Sequence, residues 1–126
     1  MNKSGQYGED LAVEFLKRQG YLILERNWRG GSGPKCPELD IIAKKDNRVI
    51  FVEVEISSTE LFGTPESWVT PQKRRRIVEG AEAFISQHGA ANDEYRFDVI
   101  AIDRRTGPPV KNHIKNAFLA SDDEIE

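Results

Sequence analysis

Glu38-Leu39-Asp40-Ile41-Ile42-Ala43-Lys44, Lys45-Asp46-Asn47 and Arg48-Val49-Ile50-Phe51-Val52-Glu53-Val54-Glu55-Ile56 together decide how this chain folds. Two runs rich in β-branched and aromatic residues flank a short polar link. That pattern predicts two strands, Glu38 to Lys44 and Arg48 to Ile56, joined as an antiparallel hairpin. Alternate residues of a strand share a face. Glu38 and Asp40 are therefore expected on one side of the first strand and Glu53 with Glu55 on one side of the second, while Val52, Val54 and Ile56 point the other way. Four carboxylates are expected to meet on one surface.

Upstream, Gly30-Gly31-Ser32-Gly33-Pro34-Lys35-Cys36-Pro37 is crowded with turn-formers and reads as a loop. Tyr21 to Trp28 reads as a strand. From Gln6 to Gln19, Tyr7, Leu11 and Phe15 fall at helical spacing with Ala12 and Leu16 beside them, and Gly20 closes an amphipathic helix. Downstream, Ser57 to Val69 carries Gly63, Pro65, several hydroxyls and the aromatics Phe62 and Trp68, a loop longer than plain connectors usually are. Thr70-Pro71 supplies an N-cap and a first-turn proline for a second helix. Its apolar stripe, Ile77, Val78, Ala81, Phe84 and Ile85, runs toward His88. Tyr95 to Asp103 is the next strand, Thr106-Gly107-Pro108-Pro109 a turn, and Val110 to Leu119 a short edge strand. The order α-β-β-β-α-β plus that edge strand describes an α/β mixed sheet flanked by helices, one domain over residues 1–119 with an acidic, frayed tail over 120–126.

Composition narrows the classes. A chain of 126 residues suits one domain, and 38% hydrophobic with 31% charged residues suits a soluble globular one. The lone cysteine, Cys36, cannot form an internal bridge, and no spaced Cys/His pairs suggest zinc. No apolar run approaches the roughly 20 residues of a membrane span, and Met1-Asn2-Lys3-Ser4-Gly5-Gln6 lacks a signal-peptide core. The expected setting is the cytoplasm, with no membrane partner. A net charge of −3 gives no bulk argument for nucleic-acid binding, so any such argument must come from where the charges sit.

Phosphodiester hydrolysis uses a divalent cation, and Mg²⁺ is commonly held by one or two carboxylates with several waters retained. Asp40 and Glu53, on neighbouring strands, supply such a pair. Without a cation or a proton between them, two acids in a cleft repel strongly. Other chemistries find little support. In Gly30 to Cys36, Pro34 stands before Lys35 and Cys36 replaces the hydroxyl a phosphate-binding loop needs, while His88 and His113 have no paired Ser or Cys motif.

Gly8-Glu9 with Ala12, Gly20-Tyr21, Arg26-Asn27, Glu38-Leu39-Asp40-Ile41-Ile42-Ala43, Phe51-Val52-Glu53-Val54, Lys73 and Arg96-Phe97-Asp98-Val99-Ile100 resemble the YraN family of small bacterial proteins. That family carries the PD-(D/E)xK, restriction-endonuclease-like fold. The resemblance implies that Asp40 and Glu53 are metal-ligand positions and that Glu9 matches an additional acid of resolvase-like members. The other reading of Glu9 is a solvated first-turn glutamate favoured by the helix dipole. The chain departs from the family pattern at Glu55, where relatives usually have the catalytic lysine. Glu55 is then either a further ligand or base, or the mark of a degenerate site. Lys73, on the same helical seam as Ile77 and Ala81, could place an ammonium in the cleft.

Lys73-Arg74-Arg75-Arg76 is the basic run, and with Lys35, Arg29 and the Trp68 loop it outlines a path for a phosphate backbone. Lys35, Lys73 and Arg74 are its candidate contacts. Asp98 is expected to make structural hydrogen bonds, and Trp28 and Trp68 to anchor core or loop. The functional expectation is a Mg²⁺- or Mn²⁺-dependent phosphodiesterase acting on DNA or RNA by structure rather than sequence. Asp40, Glu53, Glu55 and Lys73 form its catalytic group and Asp40, Glu53 and Glu9 its metal group, and a homodimer would suit two-strand substrates. The alternatives are a non-catalytic nucleic-acid-binding protein with a degenerate site and a protein-binding adaptor.

Overall fold

The hairpin at residues 38–56 lies at the centre of the computed structural model, which describes residues 3–57, 68–90, 92–103 and 110–120. Its elements are α1 Lys3–Arg18, β1 Leu22–Arg29, β2 Glu38–Lys45, β3 Arg48–Ser57, α2 Pro71–His88, β4 Glu94–Asp103 and β5 Val110–Phe118. Helix α1 begins a few residues before the expected Gln6, and the hairpin turn is one residue tighter than expected because Lys45 pairs with Arg48. Strand β5 is the further edge strand that the sequence predicts. Phe62 and most of its loop, the turn at 106–109 and the acidic tail lie outside the described residues.

The strands form one open sheet in the order β1-β2-β3-β4-β5. Three neighbouring pairs are antiparallel, and β3 and β4 run parallel. Parallel neighbours need the chain to cross over the sheet, and α2 is part of that crossover. The result is the mixed α/β arrangement the sequence predicts, consistent with a nuclease-like fold.

Both faces of the sheet are covered. Ala12, Val13 and Leu16 of α1 pack on Ile41, Ala43, Ile50, Val52, Ile100 and Ile102. Ile77, Ala81 and Phe84 of α2 pack on Ile42, Val49, Phe51, Phe97 and Val99. The two-residue period of β3 sorts its side chains between these cores: Ile50 and Val52 toward α1, Val49 and Phe51 toward α2. Phe84 meets Trp28 and Phe51 edge-on, with ring centroids 5.4 and 6.0 Å apart. Trp28 and Trp68 both lean on this core, the anchoring role expected of them.

Helix α1 approaches β3 so closely that a Cβ at Gly8 would overlap the Ile56 side chain. Glycine inside a helix normally costs about 1 kcal/mol relative to alanine, so Gly8→Ala should stabilise on propensity alone. Here the opposite is expected. The forced shift should lower stability by about 1 kcal/mol or more, read from the urea midpoint at unchanged slope.

Candidate functional site

Asp40 sits where β2 breaks its own alternation. Leu39 and Ile41 are two residues apart, yet Leu39 packs in the α2-side core and Ile41 in the α1-side core. The registered β2–β3 pairs run from Lys45 and Arg48 to Ile41 and Val52. Just beyond them, the Val54 N–H donates to Asp40 Oδ2 at 3.0 Å. Across on β1, Asn27 lies between the residues paired with Ile41 and Leu39 and has a φ of +52°, a left-handed conformation that asparagine tolerates. The Asp40 carboxylate is close enough to both helices for its charge to act on Glu9 of α1 and for Lys73 of α2 to act on it.

On the α2 side, Glu53 is within hydrogen-bonding reach of Asp40 and is 8% exposed. Helix α2 delivers a cation to the same place. Thr70 caps the helix by accepting the Lys73 backbone N–H at 3.2 Å, and Pro71 follows it, so the first turn is fixed by local chemistry. From that turn the Lys73 ammonium reaches Glu53 Oε2 and Glu55 Oε2, each at 3.1 Å. The sequence-predicted group Asp40, Glu53, Glu55 and Lys73 is thus brought together in one cleft.

The electrostatics are those of acids held too close. Burial pushes the Glu53 carboxyl up, the Asp40 charge adds to it, and Lys73 only partly offsets both, leaving a pKa of about 8. Burial likewise raises Asp40, against the Val54 N–H bond and the attraction of Lys73. Burial alone would lower Lys73, but Glu53 and Glu55 outweigh it and the ammonium is held firmly charged. Between the ordinary glutamate value of 4.5 and about 8, the folded chain binds more protons at Glu53 than the unfolded one. Stability should therefore fall as pH rises across that window, by up to ~1.4 kcal/mol per unit. Glu53→Gln should flatten the slope, a result read from urea denaturation at about pH 5, 7 and 9.

On the α1 side, Glu9 is mostly buried, and burial followed by the Asp40 charge raises its pKa. A hydrogen bond from Asn27 and the nearby Arg26, whose Nη2 lies 3.8 Å from Glu9 Oε1, work the other way. Arg26 also reaches Asp10 Oδ1 at 2.7 Å. Glu9 is thus no freely solvated glutamate, and Arg26 and Asn27, quoted above only for the resemblance, prove to be its partners. Glu38 stands at the margin of the cluster: it is exposed and lies 3.9 Å from Arg29, yet its charge adds to the rise at Glu9. The strict alternation that would set it squarely beside Asp40 breaks at Asp40 itself.

The basic residues divide. Lys35 is exposed on the turn after β1. Arg76 donates to the Cys36 carbonyl at 3.1 Å and Arg29 to the Gly33 carbonyl at 2.6 Å, which ties that turn to α2 and to β1. Arg74 folds back and donates to the Val69 carbonyl at 2.6 Å. Asp98, as expected, is structural: fully buried, it accepts from Arg96, from His113 and from the Asn116 N–H.

Hard oxygen donors on adjacent strands fit a small divalent cation that keeps most of its waters. Among the described residues no group of three or more His, Cys, Asp or Glu is disposed to hold a metal ion by itself. Asp40 and Glu53 thus offer two carboxylates and, among the described residues, no third such donor.

A model of the uncharacterised protein family UPF0102 matches residues 8–102, a span holding Glu9, Asp40, Glu53, Glu55 and Lys73. The chain belongs to this family. The YraN-like resemblance is the same assignment. A UPF0102 protein of Caldicellulosiruptor saccharolyticus is 44% identical over 122 residues, covering 94% of this chain and all of the relative. UPF0102 proteins of Clostridium perfringens and Myxococcus xanthus are 46% and 39% identical, covering 93% and 92% of this chain and 95% and 89% of theirs. Among the described residues no helix is long and apolar enough to cross a membrane.

Proposed function

We propose that this UPF0102 protein is a divalent-metal-dependent phosphodiesterase acting on nucleic acid, with Asp40 and Glu53 as the pair that holds Mg²⁺ or Mn²⁺. The observation that supports this reading best is two carboxylates from neighbouring strands, one of them almost fully buried, set together against a single lysine. An acidic pair in such a position is costly unless a cation shares it. When bound, the metal would polarise a phosphate oxygen and acidify a water.

The chain's own residues do the remaining work. Asp40 is held by the Val54 N–H on Oδ2, which leaves its other oxygen outside that bond. Lys73 supplies positive charge beside the place where negative charge builds on phosphorus. Glu9 adds an acid from the α1 side, near Asp40. Lys35, exposed on the turn after β1, and Arg74, in the first turn of α2 beside Lys73, are the backbone contacts this reading calls for, which would position a strand without reading its bases. A second reading, a nucleic-acid-binding protein that does not cut, draws on the same ion pair: Lys73 occupies an oxygen of Glu53 that a cation would use.

Incubation with branched, single-stranded and duplex DNA and with RNA, in Mg²⁺ or Mn²⁺, tests the proposal. Cleavage of at least one substrate that stops on chelation is the expected result. Binding that weakens linearly in log–log salt plots, without cutting in either metal, would leave the non-catalytic reading. No salt-sensitive binding at all would overturn both and point to a protein partner.

A further inference from the structure

Lys73 bridges two carboxylates that differ in freedom. Glu53 is pinned, its side chain 10% exposed, whereas the Lys73 side chain is 45% exposed and hangs from the first turn of α2. Glu55 lies on the same face of β3, two residues along, about 6–7 Å farther down the strand. The ammonium sits 3.1 Å from each, with two of its three N–H donors satisfied. A cation entering between Asp40 and Glu53 shares the Glu53 carboxylate with Lys73, whose ammonium sits on Oε2, and repels that ammonium at close range. That repulsion drives the lysine away from Glu53. The nearest acceptor it already touches is Glu55.

We infer that Glu55 is a positioning residue that keeps Lys73 docked in the cleft, and that Lys73 and a divalent cation compete for Glu53. This rests on the reading of Asp40 and Glu53 as the metal pair. In the metal-free protein the ammonium stands in for the cation and spares the acids an unscreened encounter. With the cation present, the lysine slides along β3 to Glu55 instead of swinging into solvent, and so remains beside the phosphate it would neutralise. Glu55 then acts through Lys73 and not as a metal ligand.

Mn²⁺ affinity, by calorimetry or electron paramagnetic resonance, of the wild type, Lys73→Met, Glu55→Gln and the Glu55→Gln/Lys73→Met double variant forms a closed cycle. Asp40→Asn serves as the site control, and Lys115→Met, on the exposed face of β5, controls for loss of a remote charge. Competition predicts that Lys73→Met tightens Mn²⁺ binding about tenfold and Lys115→Met changes it less than about twofold. Glu55→Gln should weaken binding severalfold in the wild type, because the lysine then has only Glu53. In the Lys73→Met background the same change should alter affinity less than about twofold. Equal weakening by Glu55→Gln in both backgrounds would make Glu55 a ligand and overturn the inference. So would a Lys73→Met affinity no different from that of Lys115→Met. If the wild type, Lys73→Met and Asp40→Asn all fail to bind Mn²⁺, the metal reading itself falls and takes this one with it. Binding that Asp40→Asn abolishes but Lys73→Met leaves unchanged spares the metal reading and sinks only the competition.

Discussion

Asp40→Asn should cut phosphodiester cleavage by at least about a hundredfold while raising the stability of the metal-free protein. The two directions come from one cause. Asp40 is placed by the break in β2, and its Oδ2 accepts the Val54 N–H. An asparagine amide oxygen can accept the same hydrogen bond in the same volume, so the strand end has no reason to rearrange. What changes is charge. On the proposed function the metal pair would lose an anionic ligand, and the phosphate the screening that ligand would secure. At the same time Glu53 and Glu9 lose the neighbour that pushes their carboxyls up, and a carboxylate that burial disfavours is gone. A nicking or flap-cleavage assay in Mn²⁺ reads the first effect, and thermal denaturation in chelator reads the second. Cleavage within about threefold of wild type would place the chemistry elsewhere. Lost cleavage with a lowered melting temperature would mean that Asp40 is a structural acid and that the activity fell with the fold.

Much of this architecture is legible in the sequence because each element announces itself through local chemistry. Thr70-Pro71 caps a helix whose apolar stripe has the right period, and the hairpin strands carry β-branched runs on either side of a polar link. The pairing of Glu53 with Glu55 on one face follows from the two-residue period of β3, which stays regular. The marginal place of Glu38 has an equally local cause: strand parity holds only while the alternation is regular, and in β2 it breaks at Asp40. The break lies opposite Asn27, whose φ of +52° is left-handed, and such a local departure has no period of its own. The role of Lys73 is half legible. Its helical seam points to the acids, but its acceptors lie on a strand 18 and 20 residues earlier, and only the packing of α2 on the sheet brings them together.

The Asp98 cluster shows the same limit, and it carries the largest expected effect on stability. Asp98→Ala should cost about 3–5 kcal/mol and lower the melting temperature by about 10 °C or more. Asp98 is fully buried under α1, and its Oδ1 and Oδ2 take Arg96 in a bidentate pair at 2.8 and 2.9 Å. His113 Nε2 is 2.7 Å from Oδ2, and the Asn116 N–H donates to Oδ1 at 3.0 Å. That last bond fills a gap in the β4–β5 ladder, whose register shifts between Phe97 and Val99 where Asn116 turns to a φ of +56°. Arg96 also reaches the Tyr21 hydroxyl at 3.2 Å, and the His113 ring meets Phe15 and Tyr21 edge-on. One carboxylate thus links β4 and β5 directly and, through His113 and Arg96, α1 and Tyr21 just before β1. Its removal strips a mostly buried guanidinium and imidazole and the Asn116 N–H of a shared acceptor, which is why the cost exceeds that of a surface ion pair. Burial alone would raise the Asp98 pKa, but the bonds from His113, Arg96 and Asn116 outweigh it and hold it below the ordinary 3.8. Its contribution is therefore present above that value and lost as pH falls beneath it, so Asp98→Ala should lack the part of the wild type's acid sensitivity that Asp98 supplies. Replacing the network as a unit separates the causes: Arg96→Met/Asp98→Leu/His113→Leu should recover most of the loss if orphaned partners account for it. A cost below about 1 kcal/mol for Asp98→Ala alone would show that water or a rearranged Arg96 satisfies the cluster, and that the seam between α1 and the β4–β5 edge is held by its apolar contacts instead.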